Sequence, residues 1–150
     1  MKFKAVLIAV ILTAAAVNTF AADPKLDGAY KYVSTTFPGG SQTETDAKGM
    51  IVVHGKYLAF VRAGVDRKTW SQEEPKEERE KKIIAAYQGL SATTGTFEIE
   101  GNIITLQQYA QASPATMGKV TKYEYKLDGK VLTLKPIANA GVEFKFERLP

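Results

Sequence analysis

Residues 122–134 read "KYEYKLDGKVLTL". Tyr123, Tyr125 and Leu127 fall on one parity, and Lys122, Glu124 and Lys126 fall on the other. A period of two with one charged face and one apolar face belongs to a strand with one side buried and one side in water. Asp128-Gly129 interrupts the pattern, and "KVLTL" resumes it. An Asp-Gly step tolerates the positive φ that a two-residue turn demands. The stretch therefore predicts two antiparallel strands joined as a hairpin.

The same pattern recurs outward in both directions. "GTFEIE" (95–100) and "NIITLQQYAQ" (102–111) meet at Gly101-Asn102, and "KGMIVV" (48–53) and "KYLAFVR" (56–62) meet at His54-Gly55. "GAYKYVSTT" (28–36) precedes them and "VEFKFER" (142–148) closes the chain. Phe97 and Ile99 oppose Glu98 and Glu100, while Phe144 and Phe146 oppose Glu143, Lys145 and Glu147. Strands are predicted at about 27–36, 47–54, 56–63, 94–100, 102–112, 119–127, 130–136 and 142–148. One segment, "EEPKEEREKKIIAAYQGL" (73–90), has helical spacing instead, with Ile83, Tyr87 and Leu90 on one face. Pro75 suits a helix start, and Glu77–Lys81 and Glu78–Lys82 are favourable i, i+4 pairs. A helix is thus predicted over about 75–90, between the third and fourth predicted strands. Consecutive hairpin-linked strands leave two exposed edges unless the sheet closes. The expected fold is all-β with one helix: an eight-stranded antiparallel up-and-down barrel whose interior fits side chains or one small ligand.

The N-terminus reads as an address. Lys2 and Lys4 precede an uncharged, largely apolar run from Ala5 to Val17, and small residues close it before Ala22. This is the layout of a secretory signal peptide over residues 1–21, with a mature domain over 22–150. The apolar run is shorter than the ~20 residues of a membrane span, so no stable membrane insertion is expected after cleavage. The expected location is periplasmic or secreted. Without Lys2 and Lys4 the net charge falls from +4 to +2, which offers no electrostatic footprint for nucleic acid. The chain has no cysteine and one histidine, His54, placed at a predicted turn. That composition excludes disulfides, thiol chemistry and the usual zinc constellations, and neither metal nor cofactor is expected. There is no Gly-x-Ser-x-Gly segment, and no second histidine to serve as a base. Glu73-Glu74 and Glu77-Glu78 read as a solvated helix start, where carboxylates complement the dipole.

"LDGAYKYVST" at the start, "GTFEIEGNIITLQQYAQASPATMGKVTKYEYKLDGKVLTL" in the second half and the final "FKFERL" together resemble the lipocalin-like proteins of the calycin group, in particular small secreted bacterial lipocalin-like domains. Lipocalins open with Gly-x-Trp on the first strand and often set an arginine near the last strand over that ring. Gly28 and Tyr30 stand at the glycine and aromatic positions here, with Tyr in place of Trp, and Arg148 stands at the arginine position. The resemblance implies a structural closure of one barrel end by Gly28, Tyr30 and Arg148.

Several inward positions could meet a ligand. Leu58, Phe60 and Arg62 share a face, and a half-buried guanidinium needs a partner. That partner is either a ligand carboxylate or phosphate, or a protein carboxylate such as Asp66. Trp70, on the polar connection before the helix, either covers the barrel mouth or docks the helix. One of Gln107 and Gln108 must face inward, where an amide wants satisfying; Gln108 is the expected contact. Tyr32, Phe97, Tyr123, Tyr125 and Phe144 complete the expected lining. The resulting expectation is an exported protein, not an enzyme, that holds a small hydrophobic or amphipathic molecule in the barrel. The alternatives are a filled barrel acting as an interaction or inhibitor module, and a barrel-type isomerase or cyclase.

Overall fold

The computed structural model describes residues 23–150, so the leader expected over residues 1–21 lies outside the described residues. Among the described residues nine strands and one α-helix form: β1 (Gly28–Phe37), β2 (Gly40–Thr43), β3 (Ala47–His54), β4 (Tyr57–Gly64), α1 (Lys76–Gln88), β5 (Leu90–Glu100), β6 (Ile103–Gln111), β7 (Val120–Asp128), β8 (Val131–Pro136) and β9 (Glu143–Arg148). Every neighbouring pair is antiparallel, and β1 pairs with β9 from Tyr30 to Thr36. The sheet therefore closes as an eight-stranded antiparallel barrel of β1 and β3–β9, compatible with a calycin-like fold.

The ninth strand was not expected. Pro38-Gly39 turns the chain back so that β2 pairs the far half of β1 (Ser34–Phe37), while β3 pairs its near half (Gly28–Lys31). Because β2 precedes β3, the helix lies between the fourth and fifth strands, not between the third and fourth. The helix also docks differently from its apolar spacing. Ala86 is its only buried residue, whereas Ile83 and Tyr87 stay exposed and Leu90 already belongs to β5.

Period-two alternation carries one set of side chains inward. Tyr30, Tyr32, Ile51, Val53, Leu58, Phe97, Ile104, Leu106, Leu132, Leu134 and Phe146 pack as one core. Phe146 stands edge-on to Tyr32 (6.2 Å) and Phe60 (5.7 Å). Two bulges shift the parity. On β1 the register slips at Val33, so that Thr35, not Ser34, turns inward. On β6 it slips at Tyr109, which is extruded to 66% exposure, while Gln108 and Gln111 both face the interior side. Gly95 sits opposite this second bulge, where a β-carbon would collide with the Gln107 carbonyl. Bulges commonly re-aim side chains next to a site, and both of these lie in the same half of the barrel.

Candidate functional site at the open end of the barrel

The two barrel ends differ. At the floor, Asp23 caps the Pro24–Leu26 turn and Leu26 is buried beneath the barrel. Tyr30 is fully buried, and its hydroxyl donates to the Leu26 carbonyl at 2.9 Å. The Arg148 guanidinium lies 4.7 Å over the Tyr30 ring and donates to the carbonyls of Lys25 and Asp27 and to the Tyr30 hydroxyl. Gly28 has φ +145°, and a β-carbon there would come within 2.9 Å of Arg148 Nη1. Burial pushes the Tyr30 hydroxyl above the ordinary tyrosine value, with the nearby Arg148 charge pulling the other way. This end is shut. His54, in the adjoining turn, is 88% exposed and 3.5 Å from the Asp27 carboxylate.

The opposite end is open. A cleft of about 310 Å³ is framed by Thr35 and Phe37 of β1, Gln42 of β2, Phe60 and Arg62 of β4, Thr93 of β5, Gln111 of β6, Tyr123 of β7 and Phe144 of β9. Phe60, Thr93, Tyr123 and Phe144 also border a second hollow of about 50 Å³ deeper in the barrel, walled by Ile51, Leu58, Ile104, Leu106, Leu134 and Phe146. The two spaces form a funnel, polar and aromatic at the rim and apolar at the tip. The tip is close to filled: about 50 Å³ admits a methyl or two, not an extended chain.

Arg62 stands at the rim. Its Nη1 donates to Gln42 Oε1 at 2.8 Å and to Thr35 Oγ1 at 3.4 Å, and its guanidinium carbon is 5.6 Å from the Tyr32 ring. Its Nε is buried without a partner. No carboxylate among the described residues lies within 4.0 Å of it, Asp66 included. Tyr32 is held below it by bonds from its hydroxyl to Thr35 Oγ1 (3.0 Å) and the Gln42 carbonyl (3.2 Å). Burial alone raises the Tyr123 hydroxyl above its ordinary value, so it is neutral at physiological pH.

Of the residues singled out from the sequence, the fold brings Phe60, Arg62, Tyr123 and Phe144 together around the funnel. Tyr32 lies just beneath, against Arg62. Phe97 is buried in the core, outside both linings. Gln108 is buried in the wall, donating to Thr121 Oγ1 at 2.9 Å with its own Oε1 unpartnered. Tyr125 points toward the floor, where burial, and then the nearby Asp23 carboxylate, raise its hydroxyl above the ordinary value. Trp70 is 43% exposed and lines neither space. The polar rim residues Thr35, Gln42, Thr93 and Gln111 escaped the sequence reading. Two are delivered by bulges and one by the unexpected β2, and neither feature leaves a signature in period-two alternation.

A larger cleft of about 420 Å³ lies outside the barrel under the Pro136–Glu143 connection. Glu143 there meets Lys135 at 3.0 Å and Lys145 at 3.2 Å, which hold its carboxyl below the usual range. Its lysine, Lys135, is already paired with Glu143, whereas Arg62 at the funnel has no carboxylate partner, which favours the funnel as the site.

No family model and no curated protein matches the chain. Among solved structures it is similar to an uncharacterized protein from Bacteroides eggerthii DSM 20697, at 11% identity over 83% of this chain and 99% of that chain, with a TM-score of 0.45.

Proposed function

We propose that the protein is an exported, lipocalin-like small-molecule-binding protein whose ligand enters the open end of the barrel. The observation that carries this reading is the continuity of the funnel. A cleft of about 310 Å³, at the lower end of the ~300–1,000 Å³ typical of ligand pockets, narrows onto an apolar tip and shares four side chains with it. Aromatic walls supply burial, and the polar rim supplies orientation. The floor is held shut by Tyr30 and Arg148, so the ligand lies in the upper half and only its end reaches the core. The leader-like sequence over residues 1–21 supports a periplasmic or secreted location.

A second reading, an interaction module, draws on the outer face of β3 and β4. Met50, Val52, Tyr57 and Val61 are each more than a third exposed there, and Met50 pairs directly with Val61. Native mass spectrometry of the protein isolated from its own exported fraction separates the two. The binding reading expects a co-purifying small mass that is lost on denaturation. A stoichiometric protein partner with an empty barrel would favour the second reading instead.

A further inference from the structure

We propose that the funnel selects a small carboxylic acid with a short aromatic or alkyl body, and that Arg62 is the residue that recognises the acid. This rests on the small-molecule reading above and narrows its ligand class. Arg62 is the only charged side chain among those framing the open cleft. Its hydrogen bonds run through Nη1 alone, to the neutral acceptors of Gln42 and Thr35. The opposite edge of the fork, Nε and Nη2, makes no hydrogen bond to the described residues, and Nε is buried. A carboxylate can meet Nη2 directly, and completes the two-bond fork with Nε when the side chains covering that atom shift. A cation held in place by neutral groups, with half of its fork idle, lacks an anionic partner rather than already having one.

The outer side of Arg62 borders a separate cleft that contains Asp46 and Asp66. Asp46 is already engaged, accepting from the Thr43 amide and hydroxyl. Asp66 lies beyond ion-pair distance of Arg62. On the inner side the charge faces Phe60, Tyr123 and Phe144, with Tyr123 neutral and free of hydrogen bonds or charges from its neighbours. One positive charge matches a monoanion better than a phosphate dianion. The aromatic walls favour a ring, and the tip of about 50 Å³ stops a long acyl chain.

The test is an NMR titration of the mature chain with 3-phenylpropionate, its neutral amide, phenyl phosphate and decanoate. The acid is expected to bind about ten- to a hundredfold more tightly than the amide, the range of a charge-assisted hydrogen bond. Arg62→Gln is expected to erase that preference, with the acid losing far more affinity than the amide. Should Arg62→Gln not fold, Arg62→Lys serves: it keeps the charge without the fork, and its preference is expected to shrink. Equal binding of acid and amide, or an acid preference that survives Arg62→Gln, would overturn the role of Arg62 and leave the funnel as a binding site. Tighter binding of phenyl phosphate or of decanoate would overturn the ligand class. No binding of any of the four, with shifts absent from the funnel, would overturn this inference and the binding reading together.

Discussion

Phe146→Ala is expected to lower the free energy of unfolding by about 3–5 kcal/mol, read from the urea midpoint at unchanged m-value. Phe146 is 2% exposed and meets Tyr32 and Phe60 edge-on. Its removal takes away the apolar burial of a whole ring and leaves a void that strands tied on both edges cannot collapse to fill. Domains of this size have about 5–15 kcal/mol in total, so the variant stands near the edge of folding. The void would open directly into the existing hollow, which Phe146 already lines. A loss below about 1 kcal/mol would mean that the ring is not the keystone its contacts describe.

Arg148→Ala is expected to cost about 2–4 kcal/mol, from the charge-assisted hydrogen bonds lost and the cation–π contact removed. The loss falls on the floor: the carbonyls of Lys25 and Asp27 and the Tyr30 hydroxyl all lose a donor together. A second readout separates this from a general loss of packing. Burial holds the Tyr30 hydroxyl above the ordinary value of about 10, so the folded state keeps that proton longer than the unfolded chain does. The resulting stability is complete below that ordinary value and falls as pH rises through the folded one. Arg148 is the charge that opposes the rise, so removing it is expected to move Tyr30 further upward in a tyrosinate absorbance titration. A Tyr30 titration unchanged by Arg148→Ala would separate the guanidinium from the ring.

What was legible in the sequence and what was not divide along a physical line. The hairpins at Asp128-Gly129 and His54-Gly55 need positive φ at glycine, and Gly129 (φ 58°) and Gly55 (φ 54°) supply it. The alternation of Tyr123, Tyr125 and Leu127 against charged neighbours marks an inner face because solvation sorts the two sides. Bulges obey no such sorting. The slip at Val33 places Thr35 at the rim, and the slip at Tyr109 turns Gln111 onto Thr93, and each is set by pairing with a distant strand. Strand β2 is four residues long and barely buried, too short for a period to show. The helix misled for a related reason. Ile83 and Tyr87 have helical spacing, but they stay exposed and only the small Ala86 of the helix is buried. Phe60 and Arg62 were readable as sharing a face, whereas the missing carboxylate around Arg62 became visible only in three dimensions.

On the proposed reading, the open end of the barrel, not its outer surface or its floor, is where a ligand binds. This is tested by a two-dimensional amide and aromatic NMR map of residues 22–150 recorded with a library of small molecules. The shifts caused by bound compounds are expected to converge on Phe60, Arg62, Thr93, Tyr123 and Phe144, with Tyr30 and Arg148 undisturbed. Shifts gathered instead on the Pro136–Glu143 connection, or on the outer face of β3 and β4, would contradict it.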